Sequence, residues 1–352
     1  MEYFYVKSIE LPNNIELIGD YKFAGYIKLE SIILPDKIKL IGNSAFAGCN
    51  RLESIILPNS ITSIGDSVFD GCEKLKSIKL PNSIPSIGNF VFAECENLKS
   101  IELPNSIRSI GDFAFYKCRN LKSIKLPNNI ESIGDYVFAE CVNLESIELP
   151  DSITSICDSA FAGCVNLKSI KLPDNIKLIG NYVFAGCIRL ESIILPDSII
   201  SIGDSVFAEC EKLKSIELPN SITSIGDYVF YKCKNLKSIK LPNNIESIGD
   251  FAFYKCNKLN SDHHYLFYNF NKLESIGKFA FSYCNNIIMI EIPDSVKSIG
   301  DYAFLRCDSL NKLCIITDNT ESIYKELNIK YAFIKCNNLD ISYNTKDNLT
   351  KR

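Results

Sequence analysis

The sequence has no tryptophan, two histidines and two methionines in 352 residues. With only His263 and His264 present, a histidine-rich metal centre is excluded, and any Ser-His-Asp or Cys-His catalytic arrangement would have to use that one adjacent pair. None of the fifteen cysteines forms a C-x-x-C pair, the usual spacing of zinc and dithiol sites. No apolar run approaches the ~20 residues of a membrane-spanning helix. Neither sign of charge dominates: 38 Lys and Arg face 42 Asp and Glu, the net charge is −4, and the charges are mixed along the whole length. That leaves no basic footprint for nucleic acid or an anionic membrane. The opening MEYFYVKSIELPNN lacks the basic, apolar and small-residue segments of a signal peptide, and the closing NLTKR has no lipidation box. A cytoplasmic chain without a membrane span is expected on these grounds.

What is present is repetition. LKSIKLPNNIESIGD stands at 121–135 and again at 236–250, 115 residues or five times 23 later. Prolines keep the 23-residue step from Pro12 to Pro242, phenylalanines from Phe23 to Phe253 and cysteines from Cys49 to Cys256. Spacing this strict means one tandem solenoid of about fourteen units rather than separate domains. Residues 1–256 read as a regular array with an N-terminal cap unit. Segment 257–284 reads as an irregular repeat, since Cys256 to Cys284 is 28 residues, five too many. Residues 285–340 read as terminal repeats and a C-terminal cap, and 341–352 as a polar tail.

The unit at Leu121 has apolar residues at Leu121, Ile124, Leu126, Ile130, Ile133, Val137, Phe138 and Cys141. Its opening L-x-x-I-x-L is a leucine-rich-repeat strand signature. Ile124 and Leu126 point inward while Ser123 and Lys125 point outward, as a period of two requires. Pro127-Asn128 ends the strand in a turn. Gly134 is read as permitting a sharp reversal. Asp135 is read as the N-cap of a short helical turn through YVFAEC. The fold class expected is an α/β repeat solenoid, with a parallel β-sheet on the concave face and short helical turns on the convex face. One unit cannot bury enough surface to order itself, so neighbours must share stability.

The I-G-x-x-A/V-F-x-x-C half of the unit stands as IGNSAFAGC (41–49), SIGDFAFYKC (109–118) and IGDYAFLRC (299–307). With the L-x-S-I-x-L-P half it resembles the BspA-like leucine-rich repeats, also called the TpLRR class, over essentially the whole chain. The resemblance implies a surface or secreted protein of a bacterium or unicellular eukaryote, concerned with adhesion to host proteins and cells or with coaggregation. It implies no catalytic residues and no cofactor.

Three ladders carry candidate chemistry. Thirteen of the fifteen cysteines occupy the repeat position, Cys157 and Cys314 being the exceptions. They are expected to be small buried hydrophobes at a corner, with occasional disulfides between neighbouring units as the alternative. Asp20, Asp66, Asp112, Asp135, Asp158, Asp204, Asp227 and Asp250 share one position with Asn43, Asn89 and Asn181. Free exchange of Asp for Asn suits a backbone N–H acceptor, and the glycine-rich calcium nonapeptide is missing. His263 and His264 sit beside Asp262 and Tyr265 in the irregular repeat. Adjacent strand residues point to opposite sides, so no joint metal site is expected. A specific contact there and a neutral insertion both stay open.

The candidate binding surface is the strand face, with protein as the expected partner. Its variable outward row is Glu10, Ile33, Ile56, Lys79, Glu102, Lys125, Glu148, Lys171, Ile194, Glu217 and Lys240. Opposite charges often alternate between neighbouring units, which is also what a self-compensating solvated sheet would show. Ile33 and Ile56 are the first contacts expected. The leading function is a non-enzymatic protein-interaction platform of the adhesion kind. The rival is an intracellular scaffold or regulatory binder, favoured by the many thiols. An enzyme built on 257–284 is the weakest reading. Partner identity and oligomeric state are left open by the sequence.

Overall fold

The structure, a computed structural model, describes residues 5–260, 266–267, 270–317, 329–337 and 339–344. It divides into two compact units, Met1–Leu178 with Gly186–Ile188 and Ile179–Ala185 with Arg189–Arg352. Both are built from the same coil.

Each regular coil supplies a three-residue strand at S-I-x and a two-residue strand at S/L-I. In the first unit the longer strands run from Ser8–Glu10 to Ser169–Lys171, and the shorter from Leu17–Ile18 to Ser155–Ile156. Neighbours pair in parallel with equivalent residues opposed, as in Ser8↔Ser31, Ser54↔Ser77 and Ser123↔Ser146. In the second unit Ser215–Glu217 pairs with Ser238–Lys240, and Met289–Ile292, Lys312–Ile316 and Asp340–Asn344 form a parallel sheet. That last strand takes up 341–344 of the segment expected as a tail. Across the irregular repeat the shorter ladder keeps register, Ser247 opposing Ser275 at a distance of 28 residues. The five extra residues are therefore absorbed without a slip.

All eight apolar positions of the Leu121 unit are buried. The phenylalanines stack ring on ring along the core. Phe138 lies 5.5 Å from both Phe115 and Phe161, with interplanar angles of 8° and 14°. Behind them each ladder thiol from Cys49 to Cys256 donates to a phenylalanine carbonyl 26 residues back, as Cys141 Sγ does to Phe115 at 3.2 Å. S–H···O contacts are weak singly, and here they recur in every regular coil from Cys49 to Cys256 for which one is resolved.

The expected short helices are not there. Among the described residues the one helical turn is Ile329–Ala332. In Tyr136–Cys141 the backbone N–H groups divide their bonds. Tyr136, Phe138 and Glu140 donate to Asp158, Ala160 and Ala162 of the next coil at 2.9, 2.9 and 2.7 Å, while Ala139 and Cys141 close turns onto Tyr136 and Phe138. Donating alternate N–H groups outward puts Tyr136 and Glu140 at φ 56° and 57°. Two left-handed residues four apart cannot belong to a helix. The α/β expectation thus reduces to a parallel β-solenoid of strands and turns.

The reading of Asp135 as a helix N-cap changes with it. Asp112 Oδ1 accepts the N–H of Asp135 at 2.9 Å, and Asp135 Oδ1 accepts that of Asp158 at 2.8 Å. The bond joins equivalent positions of successive coils. Asn serves equally, Asn43 Oδ1 accepting from Asp66 at 2.9 Å, because only the oxygen is used.

This inter-coil bond also sets the glycine. A Cβ at Gly65 would lie 2.5 Å from Asn43 Oδ1 and 2.7 Å from Asn43 N. At Gly65 the constraint is the space a side chain would take and not turn freedom, although Cys157 occupies the equivalent position with the next inter-coil bond, Asp158 N–H to Asp135 Oδ1, kept at 2.8 Å. Gly19 follows no earlier acceptor, and a Cβ there would meet nothing within 4 Å. Gly65→Ala is expected to lower the unfolding free energy in urea by roughly 1–3 kcal/mol through overpacking and loss of the bond. Gly19→Ala should be neutral or slightly stabilising. Equal effects at the two sites would refute the assigned cause.

Candidate functional site

The S-I-x strand places its central isoleucine inward and leaves the x residue in solvent. All eleven residues of the candidate row, from Glu10 to Lys240, are exposed. The strand register sets Lys79 opposite Glu102, Lys125 opposite Glu102 and Glu148, and Glu148 opposite Lys171. Three members break the charged pattern: Ile33 is 62% exposed, Ile56 85% and Ile194 84%. Ile33 and Ile56 belong to the first unit. Ile194 belongs to the second, where it borders a shallow depression with Asp197, Glu217, Pro219 and Asn220.

Three ion pairs form one column over. Lys7 meets Glu30 at 3.5 Å, Lys76 meets Glu53 at 2.8 Å and Lys214 meets Glu191 at 2.6 Å. Within the row itself Lys240 pairs with Glu217. The lysine beside Glu53 holds that carboxyl below its ordinary range by hydrogen bond and charge. Pairs this exposed are worth at most about 1 kcal/mol each, so the face is held in shape by its backbone ladder. The exposed row ends within the second unit. Glu291 stands two residues before Pro293, as Lys240 does before Pro242, and it is 6% exposed. Cys314, opposite it in register, is 2% exposed.

The thiols are mostly withdrawn from solvent. None of the fifteen is joined in a disulfide, and all but Cys157 and Cys336 are buried. Burial pushes Cys49, Cys141 and Cys187 up to about 12, and others such as Cys72 and Cys233 higher still. Cys157, which replaces the repeat glycine, is only half-buried. Burial and then the carboxylates of Asp135, Asp112 and Asp158 also raise its thiol. A thiol held protonated is a poor nucleophile and metal ligand. Among the described residues no group of three or more His, Cys, Asp or Glu side chains is placed to hold a metal ion. Nor is any helix among them long and apolar enough to cross a membrane. His263 and His264, with Asp262 and Tyr265, lie outside the described residues.

Two columns that the repeat pattern did not single out emerge from the register. Asn97, Asn120, Asn143 and Asn166 join side chain to side chain, the last pair at 3.0 Å. At the turn corner, Phe113 stacks on Phe90 and on Tyr136 at 4.6 Å each. Both columns were visible in the sequence as residues recurring at the 23-residue step.

A parallel solenoid with an exposed S-I-x strand face and stacked core phenylalanines is the architecture of a leucine-rich-repeat protein. The BspA type leucine rich repeat region matches in six copies, over residues 2–99, 85–211, 154–263 and 266–351, and the chain belongs to that family. A leucine-rich repeat protein from Bacteroides ovatus is 35% identical, with a TM-score of 0.83 over 96% of this chain and 84% of that one. A leucine rich cell surface protein from Faecalibacterium prausnitzii is 23% identical, with a TM-score of 0.55 over 98% and 90% of the two chains, a likeness of fold. The T. pallidum leucine rich repeat protein TpLRR is 33% identical over 53% of this chain and 78% of its own, with a TM-score of 0.44. No curated protein matches the sequence.

Proposed function

We propose that this chain is a non-enzymatic interaction solenoid that binds a protein partner through its S-I-x strand face, in the adhesion role that membership of the BspA type implies. The observation that carries the reading is the exposure of Ile56 and Ile194, at 85% and 84%, within a row otherwise charged. Leaving large aliphatic side chains in water gains nothing for the fold, and covering one contributes about 1.5–3 kcal/mol. Charged neighbours such as Lys79 and Glu217 would form the polar rim of such a contact.

The test uses the full chain as bait against surface-labelled host cells and against cytosolic extract. Ile56→Glu and Ile194→Glu should each weaken capture of the same partner by at least about tenfold, a loss near 1.4 kcal/mol, with the melting temperature unchanged. Undiminished capture would move the site to another face.

A second reading, an intracellular scaffold, is favoured by fifteen cysteines outside any disulfide, which suit a reducing compartment. Protease treatment of intact source cells separates the two. Loss of the chain beside a spared cytosolic control supports the adhesion role, and protection until lysis supports the scaffold.

A further inference from the structure

Each coil carries a second left-handed residue just before the ladder cysteine, and its side chains form a column at the turn edge. In the second unit this column reads Glu209, Lys232, Lys255, Tyr283, Arg306 and Lys335, at φ between 56° and 65°. Its register is fixed by the backbone: Lys232 N–H donates to Tyr254 at 2.7 Å, Lys255 to Ser282 at 2.8 Å, Tyr283 to Leu305 at 2.8 Å and Arg306 to Ile334 at 3.2 Å.

In the first unit the same column is mostly glycine (Gly25, Gly48, Gly71, Gly163 and Gly186), and its three charged members, Glu94, Lys117 and Glu140, alternate in sign. Lys117 pairs with Glu94 at 2.9 Å, and Arg119, two residues on, reaches Glu140 at 3.3 Å. In the second unit only the first step is neutralised, Lys232 meeting Glu209 at 2.7 Å. Beyond it the column is cationic without a carboxylate in it. Lys255, Arg306 and Lys335 form no ion pair among the described residues. Lys255 Nζ lies 5.2 Å from the Tyr254 ring and 5.6 Å from the Tyr283 ring, and the Arg306 guanidinium lies 5.9 Å from Tyr283. The two cations thus share one aromatic ring. The nearest acid in sequence is Asp308, which pairs with none of them.

Like charges facing each other across a ladder are destabilising. Arg306 and Lys335 face each other in this way on successive coils, and among the described residues no carboxylate pairs with either or with Lys255, so their charge is available to a ligand. We propose that Lys255, Arg306 and Lys335 form a binding stripe for the sulfate groups of an anionic polysaccharide. The surface is separate from the strand face and does not depend on the protein-binding reading.

Three features select this ligand class. The guanidinium fork of Arg306 matches a tetrahedral oxyanion by two parallel hydrogen bonds. Arg306 and Lys335 stand on successive coils ~4.8 Å apart and Lys255 two coils before Arg306, whereas an extended acidic peptide presents same-side carboxylates at roughly 6.6 Å. A sugar residue in an extended chain advances by close to one coil. Single-stranded nucleic acid needs free aromatic faces for its bases. In this stripe Tyr254 is stacked on Tyr231 at 5.3 Å and meets Tyr283 edge-on at 5.6 Å, while Tyr283 carries both cations.

The experiment measures binding of a fluorescent heparin oligosaccharide to the full chain by anisotropy at physiological salt. The triple variant Lys255→Gln, Arg306→Gln, Lys335→Gln should raise Kd at least about tenfold and flatten the salt dependence. The control triple Lys76→Gln, Lys117→Gln, Lys214→Gln removes the same charge from ion-paired sites and should leave Kd within about twofold. Desulfated heparin should fail to compete. No binding by the wild-type chain, equal loss in both triples, equal competition by the desulfated polymer, or tighter binding of a single-stranded oligonucleotide would each overturn the proposal.

Discussion

Raising the pH from 9 to 11 is expected to unfold this protein cooperatively, because its buried thiols cannot ionise in place. Cys49, Cys141 and Cys187 are pushed up to about 12 by burial, and Cys72, Cys95, Cys118, Cys164, Cys256 and Cys307 well above the ordinary thiol value near 9. A group whose folded pKa is raised contributes stability that is fully present below its unfolded pKa and is lost as pH rises toward the folded one. Above pH 9 the unfolded chain has released protons that the folded chain keeps, so unfolding is favoured. Each buried thiol then removes about 1.4 kcal/mol per pH unit. With nine such thiols in concert, one unit removes on the order of 10 kcal/mol, comparable to the whole stability of an ordinary domain. Other changes accompany high pH, so a variant must isolate the thiol contribution. Serine does not ionise there, and its hydroxyl can still donate to the phenylalanine carbonyl. Replacing Cys118, Cys141 and Cys164 by serine should reduce the fall in urea unfolding free energy by about 4 kcal/mol per pH unit between 9 and 10.5. An unchanged slope in that variant would exclude the thiols as the cause.

The second large effect is expected at Phe138. The ring is fully buried and stacked on both sides, 5.5 Å from Phe115 and Phe161. Phe138→Ala should cost about 3–5 kcal/mol, at the upper end because both neighbouring rings lose a partner. Phe113 is stacked more closely, at 4.6 Å on each side, but it is half-buried at the turn corner. Phe113→Ala should cost only about 1–2 kcal/mol. Nearest-neighbour coupling adds a spatial signature. Amide exchange should quicken from about residue 115 to 161 and remain slow in distant coils. Equal losses at the two phenylalanines, or a uniform rise in exchange, would mean that the inner stack is not what holds coil to coil.

The parts of the fold legible in the sequence were those fixed by side-chain burial at a constant period. Ile124 and Leu126 alternate with Ser123 and Lys125, and the strand follows directly. Val137, Phe138 and Cys141 were likewise assigned to the core, where they lie. What misled was local capping logic applied to a segment whose partners are not local. DYVFAEC has an Asp cap and helix-compatible spacing. Yet its alternate N–H groups have acceptors in the next coil, and that choice drives Tyr136 and Glu140 into the left-handed region. The Asp135 acceptor is satisfied 23 residues away, at Asp158. The cationic stripe escaped notice for a related reason. Lys255, Arg306 and Lys335 align only when the column before each cysteine is followed past the irregular repeat. The exposed row from Glu10 to Lys240 was legible as outward positions, since exposure there follows from strand alternation alone.

The most direct measurement of the central claim, that the S-I-x face binds the partner, is site-specific photocrosslinking. A photoreactive phenylalanine analogue would be placed at Ile56, at Ile194 and, on the turn corner, at Tyr136 and Tyr228. Each variant would be irradiated with the captured partner. Crosslinks from positions 56 and 194 and none from 136 and 228 are the expected result. Crosslinks from 136 or 228 with none from 56 and 194 would contradict the account and place the partner on the aromatic corner.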